Sequence, residues 1–438
     1  MKHSVKVIGG GLAGCEAAWQ LANAGIDVIL IEMKPKKYSP AHKYKGLAEL
    51  VCSNSLKAER VESAAGLLKE EMRRLGSLTM ECAELSKVSA GGALAVDREK
   101  FSDLVTEKIN SHPLIKVVNE EAENVPLDEN VIVATGPLTS DKLAEDIQKL
   151  CGDYLSFHDA AAPIVTFDSL DKNLVFFAAR YDRGAPDYIN CPMNEEEYFR
   201  FYNALIEAES APLKEFEKEH FKVYEGCMPI EVLAKRGKDT IRFGPLKPVG
   251  LTDPRTGKRP YAVVQLRSEN AEGSLYNLVG FQTNLKFGEQ KRVFSLITGL
   301  ENAEFVRYGV MHRNTFINSP KLLTENFRMR NHENIYFAGQ ITGVEGYIES
   351  ASSGIFSGLS MARQLLGKEP VSLPKTSMLG ALTKYISDET VTNFQPMGSN
   401  MGILPELGER IRDKKLKYGK IAQRGLDDFE DCRKRYGL

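Results

Sequence analysis

Two cysteines stand where a thiol can be made reactive. Cys52 lies in LVCSNS, and Ser53, Asn54 and Ser55 after it are all good N-cap residues, so the stretch predicts a helix beginning here. A cysteine just before the positive end of a helix is drawn from thiol towards thiolate, its nucleophilic form. Cys227, in EGCMPIEVLAKRG, repeats the arrangement: Pro229 suits a first helical position, Gly237 closes the helix, and the cysteine sits two residues before the proline. The competing reading of each is a small buried thiol. Cys15, Cys82, Cys151, Cys191 and Cys432 lack the combination, and Cys15 falls inside the first predicted helix, where packing accounts for it. No two of the seven form a CxxC pair, which argues against a zinc site or a disulfide framework.

A second chemistry-bearing group opens the chain. Gly9, Gly10, Gly11, Leu12, Ala13 and Gly14 form a G-x-G-x-x-G turn directly after the apolar run VKVI. Glycines at this spacing let backbone N–H groups approach a pyrophosphate at a helix N-terminus. Glu32 ends the next apolar run, 18 residues after Gly14, where a carboxylate accepts hydrogen bonds from a ribose. The pattern reads as a dinucleotide site rather than a structural glycine turn. VIVATG (131–136) and IYFAGQITG (335–343) are further apolar strands ending in glycine, which resemble segments of flavoprotein Rossmann domains and favour FAD over NAD. Gly339 and Gln340 lie in the second of them, with Gln340 where such proteins more usually carry an Asp.

These groups need a scaffold, and the patterning supplies one. A strand, a glycine turn, the helix CEAAWQLANAG and the strand DVILIE make a βαβ unit, which implies a parallel sheet. Residues 64–78 and 97–112 read as amphipathic helices, with strands in IKVVNEEAENVPL and NVIVATG behind them. From about residue 140 the character changes: APIVTF, LVFFAAR and YAVVQLR alternate with turn-rich loops, and one helix covers 194–209. The organisation expected is an α/β chain: a Rossmann-type FAD-binding domain from 1–140 and 325–438, interrupted by an inserted α+β domain at 141–324. No internal repeat or low-complexity tract is evident.

The composition is that of an ordinary globular protein, with 438 residues, 42% hydrophobic, 26% charged and a net charge of −2. No apolar run approaches the roughly 18 residues of a membrane span, and the chain enters a strand at once with no signal-like segment, so a cytoplasmic protein without a membrane partner is expected. The charge is unevenly spread. Residues 235–267 carry nine Lys/Arg against Asp239 and Asp253, and 410–438 carry ten against five acids. Two basic segments suggest a polyanionic partner, with a solvated surface as the plain alternative. Phe243 and Tyr261 lie among the first set of charges, where they would stack on bases or pack in a core.

Several longer stretches carry a resemblance: ELVCSNSLK, GLLKEEMRRLGSL, CMPIEVLAKRG, DTIRFGPLKPVGL, VQLRSEN, LVGFQTNLKFGEQKRVF, GLENAEFVRYGVMHRNTFINSPKLL and FAGQITGVEGYIESASSG. Together they are similar, nearly end to end, to the bacterial folate- and FAD-dependent tRNA uracil-5 methyltransferases, relatives of the GidA flavoproteins. The resemblance implies transfer of the methylene carbon of 5,10-methylenetetrahydrofolate to C5 of a uridine in the tRNA T-loop, with reducing equivalents from NADPH or NADH through FAD. It implies Cys227 as the nucleophile towards uracil and Cys52 near the flavin as acid/base or protective partner. His312 becomes a candidate to stack on the folate ring, and Tyr347 to face flavin or folate; a core role is open for both. A uridine in ribosomal RNA, or a flavin oxidation that never touches RNA, remains as an alternative.

Overall fold

The computed structural model describes residues 4–152, 155–160, 162–182, 185–211, 228–270, 273–309, 311–391, 394–409 and 411–438, with the backbone alone for 155–160, 182 and 311–315. VKVI lies in β1 (Ser4–Ile8) and DVILIE is β2 (Asp27–Glu32), paired in parallel from Ser4 opposite Asp27 to Ile8 opposite Ile31. Val5, Val7 and Leu30 are fully buried, as strands covered on both faces require. The helix Leu12–Asn23 connects them and Gly25, at φ +85°, turns the chain back.

Past this unit come three short strands, β3 (Ser55–Ala58), β4 (Lys87–Val88) and β5 (Ala93–Val96), then β6 (Ile115–Asn119) and β7 (Val131–Val133). The amphipathic pattern over 64–78 resolves into two helices, Ala64–Arg74 and Leu78–Leu85. The break has a local cause: Gly76 adopts φ +69° and the Ser77 hydroxyl caps the second helix at Met80 N–H. The pattern over 97–112 becomes the helix Arg98–Ser111, capped by Asp97.

The middle of the chain contributes β8 (Leu155–Ala160), β9 (Ile164–Thr166), β10 (Phe176–Phe177), β11 (Tyr188–Met193), β12 (Ala262–Ser268), β13 (Leu275–Leu278), β14 (Phe305–Arg307) and β15 (Met311–Phe316), before β16 (Ile335–Phe337). Five parallel strands form the first sheet, in the order β16-β7-β1-β2-β6. Six antiparallel strands form the second, in the order β10-β11-β12-β13-β9-β14. Each sheet has its own apolar core. The first gathers residues from Val5 to Ile147 and from Phe316 to Phe429; the second gathers residues from Val165 to Ala303, including Tyr198, Phe201 and Leu205 of the helix Glu195–Glu207.

The helix Tyr347–Leu365 is rich in small residues for a steric reason. A Cβ on Gly354 would stand 2.1 Å from the Ala13 carbonyl oxygen, and one on Gly358 would stand 2.7 Å from that of Ala17. The two helices therefore run side by side, in the same direction, in backbone contact. Their N-termini share one end of the parallel sheet, which places Tyr347 beside the glycine turn.

Candidate active site

The glycine turn is built in two halves with different reasons. Gly9 has φ +107°, and a Cβ there would lie 2.5 Å from Ala134 O; a Cβ on Gly14 would lie 1.8 Å from Gly9 O. Packing of the chain on itself demands both. Gly11 is different: its φ is −77°, and a Cβ there would meet nothing within 4 Å. Its missing side chain leaves room on the cleft side alone. Gly11 is also the N-cap of the first helix and makes no side-chain cap, so the N–H groups of the first turn are left for a ligand.

The cleft is lined by Gly9, Gly10, Gly11, Leu12 and Ala13, by Glu32, by residues 134–140, and by Gly339, Gln340 and Tyr347. With its open mouth included, the space within it is about 1120 Å³. Glu32 is buried; its Oε2 accepts from the Gly10 N–H at 2.7 Å and its Oε1 from the Lys34 N–H at 2.9 Å. Each oxygen keeps a lone pair for a ribose hydroxyl. An open cradle at Gly11, an uncapped helix end and a cleft-lining carboxylate fit a dinucleotide. Gly339, at φ +83°, approaches Ala13, while the Gln340 side chain donates to Glu345 at 2.7 Å. Cys15 is buried in the first helix with its Sγ 3.4 Å from Gly10 O; burial pushes its thiol far up, the packing role its position implies.

Cys52 does not begin a helix. Ser55–Ala58 is the strand β3, and the first helix beyond it starts at Ala64 with Ser63 as its cap. The expected cap residues are otherwise engaged: Ser53 Oγ and Asn54 Oδ1 accept from Arg267 at 2.7 and 3.0 Å, and Asn54 Nδ2 donates to Val96 O and Ser268 O. Cys52 meets the start of a different helix instead. Tyr347 is the first residue of Tyr347–Leu365, and its Oη lies 3.0 Å from Cys52 Sγ. The same oxygen accepts from the Cys52 N–H at 2.8 Å and the Ser53 N–H at 3.2 Å. Burial, then the neighbouring Cys52, push the Tyr347 phenol well above its usual range, so it stays protonated.

Three arginines grip the same loop. Arg98 donates to Leu50 O at 3.0 Å and Val51 O at 3.3 Å, and Arg307 donates to Val51 O. Arg267 holds Ser53 and Asn54 from β12. Arg98 Nε and Glu269 Oε2 are 2.6 Å apart, an ion pair whose N–H does not point squarely at the oxygen. None of the three arginines was read as part of the site from sequence. The signal was a charged residue inside the apolar strand pattern YAVVQLR, in Arg267, and the stretch EFVRYGV around Arg307 offers none.

Other expected residues lie apart from the cleft. Cys227 falls outside the described residues; the helix after it is Ile230–Lys235, with Pro229 as its N-cap rather than its first residue. His312 stands on β15 opposite Asp159, and its side chain is outside the described residues. Phe243 is 71% exposed, whereas Tyr261 is partly covered by Arg242, whose guanidinium lies 4.0 Å from its ring centre. Among the described residues no His, Cys, Asp and Glu cluster has metal-site geometry, and no helix is long and apolar enough to cross a membrane.

The comparisons with known proteins agree in direction. The family profile described as "Glucose inhibited division protein A" matches residues 4–369. A protein of Acetivibrio thermocellus named methylenetetrahydrofolate–tRNA-(uracil-5-)-methyltransferase TrmFO is 60% identical over 433 residues, 99% of either chain. The protein of that name from Brevibacillus brevis is 58% identical over 98% of either chain. The crystal structure of GidA from Aquifex aeolicus matches with a TM-score of 0.70 over 98% of this chain and 74% of that one, at 15% identity, which speaks to the fold.

Proposed function

The chain belongs to the GidA family, and on that premise we propose that it is a folate- and FAD-dependent tRNA (uracil-5-)-methyltransferase forming 5-methyluridine in the T-loop. The observation that carries the reading is the contact of Cys52 with Tyr347, which together with Val51 forms part of the wall of the glycine-lined cleft; it sets an ionisable sulfur beside the space where flavin and folate chemistry would meet. Gly9–Gly14 would hold the FAD pyrophosphate, Glu32 would accept from its ribose, and Gly339 and Gln340 would line the same cleft.

When bound, reduced FAD supplies the two electrons, drawn from NADPH or NADH, that convert the transferred methylene into a methyl group. Uracil C5 is a poor nucleophile until C6 is attacked. The Cys227 thiolate adds at C6 and pushes electrons onto C5 and O4. C5 then bonds to the methylene carbon of 5,10-methylenetetrahydrofolate, which stays attached to the folate through one nitrogen. Cys52 takes the C5 proton, and the electron pair left behind expels tetrahydrofolate to leave a methylene on C5. A hydride equivalent delivered to that carbon, the reduction FAD would supply, makes the methyl group as the C6–S bond breaks and returns the Cys227 thiolate. His312 stacks on the folate ring, and Tyr347 orients Cys52.

The body built on the second core faces the RNA, with the basic 235–267 segment on the phosphates. The target uridine is drawn out of the tRNA elbow to reach the cleft. Such an enzyme works in the cytoplasm, where tRNA, folate and NAD(P)H are present together.

The test supplies purified protein with FAD, NADPH, methylenetetrahydrofolate labelled at the methylene carbon, and unmodified tRNA transcript. Label in T-loop 5-methyluridine, abolished by Cys227→Ala, is the expected result. NADPH oxidation with no label in tRNA would overturn the substrate and make ribosomal RNA the next target to try. Label lost in Cys52→Ala alone would exchange the two cysteine roles.

A further inference from the structure

We infer that Cys52 is held as a thiolate at neutral pH by the Tyr347 phenol, which donates to its sulfur, and by the guanidinium groups of Arg98, Arg267 and Arg307 that grip residues 50–54. The inference deepens the reading of Cys52 as an active-site thiol and rests on it.

The direction of the phenol's hydrogen bond follows from counting. Tyr347 Oη has two lone pairs and one proton. The Cys52 and Ser53 N–H groups, at 2.8 and 3.2 Å, occupy the lone pairs. The proton is left for Cys52 Sγ at 3.0 Å. A hydrogen bond donated to sulfur favours its charged form.

The charges around the loop do not balance without that sulfur. Arg267 is 7% exposed and Arg307 is half-buried, and among the described residues neither meets a carboxylate within ion-pair distance. Arg98 has one, Glu269 on the segment after β12. Of the other acids on adjoining segments, Glu49 is matched with Lys34 at 3.3 Å and Glu349 with Lys57 at 2.6 Å, while Glu345 accepts from the Gln340 side chain and Asp97 from the Lys100 N–H. Among the described residues, Glu269 is the one carboxylate within ion-pair distance of any of the three guanidiniums. Neutral donors would satisfy loop carbonyls at a lower desolvation cost, and buried charge is ordinarily matched by opposite charge. Burial, then the like charge of Arg98, pull Arg307 downward, against the raising effect of neighbouring groups that include Cys52. A thiolate at Cys52 supplies negative charge beside these guanidiniums, and it doubles as the base that takes a proton.

The test follows alkylation of Cys52 by iodoacetamide against pH in the FAD-loaded protein, read on its own peptide by mass spectrometry. Absorbance at 240 nm, wild type minus Cys52→Ser, follows the thiolate independently of reagent access. The half-point is expected at least about one unit below the ordinary thiol value of about 8.5. Arg307→Gln and Tyr347→Phe should each raise it, lowering the labelling rate at pH 6.5 by about tenfold for each unit. Arg307→Lys, which keeps the charge, should restore most of that loss. A wild-type half-point at or above 8.5 by both readouts overturns the inference, even if the variants fail to fold. Neither readout uses RNA or folate. A low half-point in a protein whose Cys52→Ala variant still methylates would therefore overturn the role of Cys52 and leave the thiolate standing.

Discussion

Lys57 Nζ lies 2.6 Å from Oε1 of Glu349, a carboxylate with no exposed surface, and the same oxygen accepts from Ser399 N–H and Oγ at 2.9 and 2.6 Å. The cluster ties three distant segments together: the strand after Cys52, the first turn of the helix that begins with Tyr347, and the 397–400 loop. Lys57 reaches it from φ +64°, a conformation unfavourable for a side chain of its size. Removing the lysine alone leaves a buried carboxylate uncompensated, which costs a few kcal/mol in closed sites and less where water reaches, as it does at half-exposed Lys57. Lys57→Met should lower stability by about 1–3 kcal/mol. Adding Glu349→Gln should recover part of that loss. Denaturant midpoints of the four proteins in the cycle give the coupling, and strictly additive effects would show that the pair holds nothing.

The glycine turn separates folding from cofactor binding. Gly14→Ala forces a Cβ to within 1.8 Å of a backbone oxygen and should destabilise the apoprotein itself. Gly11→Ala meets no protein atom and sits at an ordinary φ, so the apoprotein should lose no more than about 1 kcal/mol of stability, the cost of a poorer N-cap residue. The added methyl group occupies the cradle, and bound FAD, read by visible absorbance, should fall at least about tenfold, the 1.4 kcal/mol of one modest clash. Full FAD content in a stable Gly11→Ala protein would move the pyrophosphate elsewhere in the cleft.

The βαβ opening was legible because everything that makes it is local: buried strand, glycine turn, helix and terminal acid lie within Ser4–Glu32. The environment of Cys52 was not. Ser53 and Asn54 have the chemistry of helix caps, but the same oxygens serve as acceptors for Arg267, more than 200 residues away, and nothing short-range signals that diversion. Tyr347 is as distant and was open between core, flavin and folate until its oxygen was placed against Cys52. The break at Gly76 and Ser77 was readable in kind, a glycine beside a capping serine, within a stretch whose apolar period runs straight through it.

Glu71 makes stability depend on pH in a defined direction. It is fully buried, accepts from the N–H groups of Met378 at 2.7 Å and Leu379 at 2.8 Å, and burial pushes its carboxyl up to about 8. The folded state therefore holds this proton more tightly than the unfolded chain, where Glu titrates near 4.3. The stabilisation is complete below that value and is lost as pH rises through about 8, at up to about 1.4 kcal/mol per unit. Glu71→Gln stays neutral throughout. Relative to wild type it should gain stability between pH 5 and 8.5 in urea titrations. A flat or opposite difference would mean that the two N–H groups at the helix Met378–Ser387 hold the carboxylate charged despite its burial.

Phe243 is the sharpest probe of the RNA-facing side. At 71% exposed it contributes little to the second core, so Phe243→Ala should leave the melting temperature nearly unchanged. It follows Arg242, whose guanidinium covers Tyr261 at 4.0 Å, and precedes the loop carrying Lys247. An exposed ring set among cations is suited to an unpaired base, and stacking of that kind is worth about 1–3 kcal/mol per base. Filter binding at one salt concentration should show tRNA affinity reduced by about 5- to 150-fold in Phe243→Ala, the same energy expressed as a ratio. Lys247→Ala and Arg259→Ala should instead reduce the slope of log affinity against log salt, each by about one if it touches a phosphate. Unchanged affinity in Phe243→Ala together with an unchanged slope in both charge variants would place the tRNA on another face of the molecule.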